Sequence, residues 1–120
     1  MKAARILIVD DERSTVEVLS RFLVSRGHAA AGAASAEEAV ATLRGGAYDL
    51  VLLDVVLPGI TGLQALPSLR ALTRAPLYVM SGQSDDDSRR DALLLGADGF
   101  LGKPLDLKAV EAAIAALPDA

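Results

Sequence analysis

Three aspartates, a serine and a lysine stand at the ends of short apolar runs, and together they suit chemistry on a phosphoryl group. Asp10 and Asp11 end the first run, Asp54 ends another, and Ser81 and Lys103 end the last two. Clustered carboxylates repel one another, so at neutral pH they either raise a pKa or recruit a cation. Because the ligands on offer are oxygens, the expected cation is Mg²⁺, which accepts one or two carboxylates and keeps waters for a phosphoryl group.

The side chains also divide the work of phosphoryl transfer between them. An ionised Asp54 carboxylate can attack phosphorus as a nucleophile and form an acyl phosphate. The Ser81 hydroxyl and the Lys103 ammonium can donate hydrogen bonds to phosphoryl oxygens and stabilise their charge. Taken singly, the acids would be a solvated turn, Ser81 a turn residue and Lys103 a surface lysine, so this interpretation depends on their meeting at one place.

The elements that must position these residues alternate along the chain. Strands buried on both faces are predicted at residues 6–9, 50–53 and 77–80, with weaker strands at 29–32 and 100–101. Helices with an apolar face are predicted from Ser14 to Gly27, from Ser35 to Gly45, over 63–73, from Ser84 to Gly96 and from Asp106 onward. Five β/α repeats predict a parallel sheet covered by helices, with functional side chains beyond the carboxyl ends of the strands.

Local signals predict where several helices begin. Ser14 and Ser35 each precede a glutamate by three residues, which predicts a capping box. Asp106 is predicted to cap the last helix. Pro67 must lie in the first turn of its helix or kink it. His28 follows a helix end, where a cation suits the helix dipole, and is predicted to be a surface residue.

Length and composition exclude several classes of protein. With 120 residues the chain is predicted to form one domain, residues 1–120. The absence of cysteine and the single histidine exclude disulfide scaffolds and the usual zinc sites. A net charge of −4 predicts no direct binding of nucleic acid. No apolar run reaches the length of a membrane span or fits a signal peptide, so no membrane partner and a cytoplasmic location are expected.

The same residues resemble the receiver domains of response regulators in two-component signalling, the CheY-like superfamily. The resemblance lies in the segments ILIVDDE at 6–12, LLDVVLPGITG at 52–62, MSG at 80–82 and LGKP at 101–104, and it covers nearly the whole chain. It implies a flavodoxin-like α/β fold, in which a five-stranded parallel sheet of order 2-1-3-4-5 carries five helices on its two faces.

The resemblance also implies how phosphorylation would occur. Asp54 would accept a phosphoryl group from the phosphohistidine of a sensor histidine kinase or a histidine phosphotransfer protein. Mg²⁺ would be bound by Asp11, Asp54 and the backbone carbonyl of Val56, with Asp10 acting largely through water. The chain would be a signalling domain rather than an enzyme, because it would catalyse only its own phosphotransfer and autodephosphorylation.

Further residues are implied to read or tune the phosphorylated state. Ser81 and Lys103 would contact the phosphoryl oxygens, and Phe100 falls at the aromatic switch position of the fifth strand. Since Phe100 has no hydroxyl, burial alone is expected to set its position. Val56 and Gln83 occupy positions that tune the rate of dephosphorylation.

The output is expected to pass through protein contacts. The added charge would repack the surface formed by the fourth helix, the fifth strand and the fifth helix, which a downstream effector protein or domain would contact. Exposed aliphatic residues on the last two helices are compatible with a homodimer on phosphorylation. The Lys103–Pro104 peptide bond is expected to be cis, as it often is in such domains.

Three other functions share parts of this pattern. A phosphatase of the haloacid-dehalogenase type needs a second acid two residues after its nucleophile, where this chain has Val56. A flavin-binding module needs a glycine- and hydroxyl-rich loop after the first strand, where Asp10 and Asp11 would repel a phosphate. A degenerate receiver would bind partners without phosphorylation, and the presence of all the site residues argues against it.

Overall fold

The computed structural model describes residues 3–82 and 86–118, which form ten alternating elements. The strands are β1 (Arg5–Val9), β2 (Ala29–Ala33), β3 (Leu50–Asp54), β4 (Leu77–Ser81) and β5 (Gly99–Gly102). The helices are α1 (Arg13–Ser25), α2 (Ala36–Gly45), α3 (Gly62–Leu72), α4 (Asp86–Leu94) and α5 (Leu107–Ala115). Every predicted strand is present, and each strand end lies within one residue of its predicted position.

The five strands lie parallel in one sheet with the order β2-β1-β3-β4-β5. Asp54 lies beside Met80, and Ser81 lies beside Gly102, so the last residues of β3, β4 and β5 are neighbours. We call this end the carboxyl end of the sheet and the opposite end the amino end. The architecture is the flavodoxin-like α/β fold that the resemblance implied.

Helices cover both faces of the sheet, because successive strand side chains point to opposite faces. One face, including Leu7, Val9, Val51, Leu53 and Val79, packs against α2, α3 and α4. The other face, including Ile6, Ile8, Leu50, Leu52 and Met80, packs against α1 and α5. In the described part of the chain, no helix has both the length and the apolar composition needed to span a membrane.

Two of the predicted helix caps are present and one is wrong. The side chains of Ser35 and Asp106 each accept a hydrogen bond from a backbone N–H in the first turn of α2 and α5. The capping box predicted at Ser35 is only half formed, since the Glu38 side chain accepts the Ala34 N–H rather than the Ser35 N–H. The cap predicted at Ser14 is wrong, since Glu12 occupies the N-cap position of α1. The physical reason is that the Asp10 carboxylate accepts the Glu12 N–H at 2.9 Å and fixes the turn that leads into the helix.

The start of α3 carries a capping box that the sequence interpretation missed. The Thr61 hydroxyl accepts the Gln64 N–H, and the Gln64 side chain accepts the Thr61 N–H. A Thr-x-x-Gln pattern is a signal for this arrangement. Pro67 is the sixth residue of α3, past the first turn, so the Leu63 carbonyl lacks its usual helical donor. The predicted start of α4 at Ser84 lies outside the described residues.

His28 is more than the surface residue that was predicted. It is half-buried, and its Nδ1 accepts a hydrogen bond from the Ala4 N–H at 3.0 Å. Gly27, with φ of +88°, turns the chain after α1 and brings His28 back towards β1. Because an accepting Nδ1 carries no proton, a neutral imidazole fits this contact rather than a cation.

Candidate functional site

The carboxyl end of the sheet gathers three aspartates. Asp10 and Asp11 follow β1 directly, and Asp54 is the last residue of β3. One carboxylate oxygen of each lies within 4.8 Å of the others. Asp10 and Asp54 are buried, whereas Asp11 is exposed. The structure thus brings together the three acids that the sequence pointed to.

Lys103 supplies a positive charge to this cluster. Its Nζ lies 2.8 Å from Asp54 Oδ2 and 3.2 Å from Asp10 Oδ2. The Lys103 backbone N–H donates to the Ser81 carbonyl at 2.8 Å, which ties the residue to the end of β4. The Lys103–Pro104 peptide bond is cis, as the resemblance implied. One ammonium therefore bridges the two buried acids.

Backbone N–H groups hold the other oxygens of the buried carboxylates. Glu12 N–H donates to Asp10 Oδ1 at 2.9 Å, and Val56 N–H donates to Asp54 Oδ1 at 3.1 Å. Each carboxylate thus bonds through one oxygen to the turn after its strand and through the other to Lys103. Fixed donors of this kind orient a reacting group before any chemistry begins.

The site holds three carboxylates and one ammonium, and the pKa values of Asp10 and Lys103 are shifted accordingly. Burial raises the pKa of Asp10, the Glu12 N–H lowers it, the Asp54 charge raises it and Lys103 lowers it, so that the net direction is upward. Burial by itself lowers the pKa of Lys103, but the hydrogen bonds and charges of Asp54 and Asp10 outweigh it and raise the pKa. Lys103 therefore stays charged, and the surplus of acids favours a cation.

Gly62 allows α3 to approach the site, and the sequence analysis included it in the segment 52–62 without assigning it a role. It is the first residue of α3, and its N–H donates to the Val55 carbonyl at 2.8 Å. A Cβ at this position would overlap the Asp54 carbonyl oxygen. No sequence signal identified this role, because many residue types are accepted at the first position of a helix.

Two further predicted residues, Ser81 and Val56, lie at the carboxyl end of the sheet. Ser81 ends β4, is buried, and lies between the strands that carry Asp54 and Lys103. Val56 follows Asp54 by two residues, and 72% of its surface is exposed. Gln83 lies outside the described residues.

Phe100 lies on β5, beside Val79, and is half-buried on the face covered by α2, α3 and α4. Arg89 of α4 lies over the ring, with its Cζ 5.4 Å from the ring centroid. The expectation that burial alone positions Phe100 is therefore incomplete, because a cation from α4 also lies over its ring. The contact joins two elements whose packing the sequence did not reveal.

A groove of about 400 Å³ opens beside the acidic cluster, between α1 and the loop that follows β5. Thr15 and Val18 line it on the α1 side, and Lys103, Pro104 and Leu107 line it on the other. The groove therefore opens on the side of the cluster on which Lys103 lies.

Comparison with known proteins places this geometry in a family. A model of the response regulator receiver domain matches residues 6–115. The transcriptional regulatory protein YvrH of Bacillus subtilis is 36% identical over 107 residues, which are 88% of this chain and 45% of YvrH. The chain spans about half the length of the transcriptional regulators that it matches.

Solved structures share the fold. A two-component response regulator from Clostridium difficile superimposes with a TM-score of 0.91 at 31% identity, covering 94% of this chain and 93% of that one. A response regulator protein from Burkholderia pseudomallei, solved with a phosphorylated aspartic acid, calcium ion and citrate, gives a TM-score of 0.86 at 27% identity, covering 92% of this chain and 65% of that one. The chain therefore belongs to the receiver domain family of two-component response regulators.

Proposed function

We propose that this chain is a phosphoacceptor, in which Asp54 takes a phosphoryl group from the phosphohistidine of a sensor histidine kinase or a histidine phosphotransfer protein. The observation that carries the proposal is the contact of Asp54 with Lys103 at 2.8 Å inside a cluster of three acids. The phosphorylated aspartic acid of the Burkholderia pseudomallei relative supports it.

The acids fit a magnesium ion. Their oxygens lie within 4.8 Å of one another, and oxygen is the donor that Mg²⁺ prefers. We assign Asp11, Asp54 and the backbone carbonyl of Val56 as ligands, with Asp10 acting largely through water. When bound there, Mg²⁺ would neutralise charge on the carboxylate and phosphoryl oxygens.

The groups of the chain itself orient and stabilise the transfer. An Asp54 oxygen attacks phosphorus and forms an O–P bond, while the P–N bond to the donor imidazole breaks and that nitrogen keeps the electron pair. The Val56 N–H holds Asp54 Oδ1 and so orients the carboxylate. The Lys103 ammonium and the Ser81 hydroxyl then donate to the phosphoryl oxygens.

Residues near Asp54 set the lifetime of the phosphorylated state. The Val56 side chain is exposed and apolar, so it cannot orient a water molecule for attack on phosphorus. Gln83, assigned on the sequence resemblance, is the second rate-tuning residue. The chain catalyses only its own phosphotransfer and autodephosphorylation, and it acts as a switch rather than as an enzyme with turnover.

The switched surface is formed by α4, β5 and α5. Leu93 and Leu94 at the end of α4 are exposed, as is Leu95 directly after it. These apolar side chains suit a downstream effector protein or domain, or a second copy of the chain in a homodimer. No membrane or nucleic acid is a direct partner, and the domain acts in the cytoplasm.

Intact-mass measurement after incubation with acetyl phosphate and Mg²⁺ tests the acceptor. We expect the wild-type chain and the control Asp91→Ala, which changes an exposed acid on α4, to gain one phosphoryl group. Asp54→Ala should gain none, and a chelator should abolish the gain in every variant. Labelling that persists in Asp54→Ala would move the acceptor elsewhere.

Two further measurements test the partner and the switch. Phosphotransfer profiling against a panel of histidine kinases identifies the donor, with Asp54→Ala as its control. NMR spectra with beryllofluoride and Mg²⁺ should show shifted signals on α4, β5 and α5. Identical spectra with and without the analogue would contradict the proposed switch.

A further inference from the structure

A cation from α4 covers the aromatic ring on β5. The Arg89 Cζ lies 5.4 Å from the centroid of the Phe100 ring, which is within the range of a cation–π interaction. Ala92, three residues after Arg89, is fully buried in the same core face against which Phe100 packs. Because residues three apart share a helix face, Arg89 stands on the side of α4 that faces the sheet.

Phe100 is connected to the acidic cluster through two short strand segments. It pairs with Val79 on β4, two residues before Ser81. Lys103 follows it by three residues, bonds through its backbone to the Ser81 carbonyl and contacts Asp54 at 2.8 Å through Nζ. The ring therefore lies on β5, and the residue directly after that strand carries the ammonium of the site.

We propose that Arg89 is a positioning residue that latches α4 to Phe100 and stabilises the arrangement in which Lys103 pairs with Asp54. This inference rests on the proposed function of Asp54 as phosphoacceptor. Lys103 has to leave Asp54 Oδ2 before its ammonium can contact a phosphoryl oxygen, so a contact that stabilises the pair opposes phosphorylation. Weakening the contact between Arg89 and Phe100 should shift the population towards the state in which Lys103 no longer pairs with Asp54. The affinity for a phosphoryl analogue should therefore rise.

Arg90 offers a matched control for Arg89. It is the next residue of α4, is exposed, and lies 3.7 Å from Asp87 rather than over the Phe100 ring. Arg89→Met and Arg90→Met remove the same charge from the same helix, and arginine and methionine have similar helix propensities. Only Arg89→Met takes the cation away from the ring, whereas Arg89→Lys keeps a cation there.

The apparent dissociation constant of beryllofluoride at saturating Mg²⁺ measures how strongly the contact between Arg89 and Phe100 opposes binding of a phosphoryl analogue. We expect Arg89→Met to bind about twofold to fivefold more tightly than the wild-type chain, the range of an exposed cation–π contact. Arg90→Met should bind like the wild type, and Arg89→Lys should lie between the two. The ring signals of Phe100 in NMR spectra should shift in Arg89→Met before any ligand is added, and should not shift in Arg90→Met.

A double-mutant cycle separates the latch from a general effect of charge. In a Phe100→Leu background the effect of Arg89→Met should vanish, because the ring is gone. An equal effect in that background, or equal affinities of Arg89→Met and Arg90→Met, overturns the latch alone. If Phe100→Leu fails to fold, the ring signals and affinities of the single arginine variants decide. If the wild-type chain binds no beryllofluoride, the proposed function fails, and the latch fails with it.

Discussion

Each end of the sheet holds a cation among oxygen atoms, and the two networks balance their charges differently. At the amino end, Arg70 of α3 pairs with Asp98 at 2.7 Å, and its second nitrogen donates to the carbonyls of Thr73 and Ala75. The same Asp98 oxygen accepts the Leu77 N–H at 2.8 Å. One cation pairs with one acid, and backbone carbonyls accept hydrogen bonds from its second terminal nitrogen.

At the carboxyl end, Lys103 lies between Asp10 and Asp54, and Asp11 stands close by. The acids outnumber the ammonium, and two of them are buried. The amino-end network therefore stabilises the fold by joining α3 to the starts of β4 and β5. The carboxyl-end network leaves a surplus of negative charge, which costs stability in the absence of a cation.

Adding one methyl group at either end of the sheet should lower stability, but only the substitution at the carboxyl end should weaken Mg²⁺ binding. Gly62→Ala forces the start of α3 away from the Asp54 carbonyl, and we expect a loss of about 3 kcal/mol in the free energy of unfolding together with weak Mg²⁺ binding. Gly96→Ala places a side chain at φ of +111° beside Arg70, which should cost about 1–2 kcal/mol and leave Mg²⁺ binding intact. Urea denaturation and Mg²⁺ titration of both variants make the comparison. Equal losses of Mg²⁺ binding would contradict it.

Magnesium should stabilise the fold through the carboxyl end alone. At about 100 times its Kd, a ligand that binds only the folded state adds about 2.7 kcal/mol to the free energy of unfolding. We expect wild type and Arg70→Met to show the same increment, and Asp11→Asn and Asp54→Asn to lose most of it. Thermal unfolding in MgCl₂ and in EDTA measures the increment. Its survival in both aspartate variants would place the cation elsewhere.

Arg70→Met should destabilise the amino end without affecting the carboxyl end. Its carbonyl and carboxylate partners lose a charged donor, which should cost about 2 kcal/mol in the free energy of unfolding. Arg70→Lys should recover only part of this, because a lysine ammonium lacks the planar fork of a guanidinium. Labelling by acetyl phosphate should match the wild type in both variants. Reduced labelling in a folded variant would show that the two ends are coupled.

Neutralising Asp10 should have the smallest effect on the free energy of unfolding. Unlike the substitutions above, it should raise this free energy. Because the folded state raises the pKa of Asp10 above its ordinary value of 3.8, it holds that proton more tightly than the unfolded state does. In metal-free protein, stability should therefore fall as the pH rises from 3.8 through the raised pKa, and stay lower above it. The Lys103 contribution is complete below 10.5 and is lost as the pH rises through its raised pKa.

Asp10→Asn should accordingly raise the free energy of unfolding at neutral pH in EDTA. We expect about 1 kcal/mol, because the amide removes the cost of burying a charge and then the repulsion from Asp54. The variant should also flatten the acidic part of the stability profile. Urea denaturation across the pH range checks both statements. A lower free energy of unfolding in Asp10→Asn would show that the contacts of the carboxylate stabilise the fold by more than its charge destabilises it.

The strands could be predicted from local signals, and the gathering of the acids from those signals together with the strand order that the resemblance implied. Apolar runs predict the strands, and the end of each run marks the carboxyl end of a parallel strand. Asp10, Asp54 and Lys103 therefore meet because the strand order brings their strands together. Their roles in binding Mg²⁺ and a phosphoryl group stay predictions.

Other features could not be predicted because packing decides them. The capping signal at Ser14 did not predict the start of α1, because the Asp10 carboxylate stabilises a turn that places Glu12 at the N-cap position. The contact of Arg89 with Phe100 joins a helix to a strand whose relative placement no local pattern specifies. The need for glycine at position 62 appears only when the backbone of β3 lies against it.

The uneven exposure of the acids bears on how long an ion would stay. Asp11 faces solvent, whereas Asp10 and Asp54 lie beneath the surface. An ion held by these groups keeps one side open to water, so it can exchange with the medium while the fold remains closed. Occupancy would then follow the surrounding magnesium concentration from moment to moment.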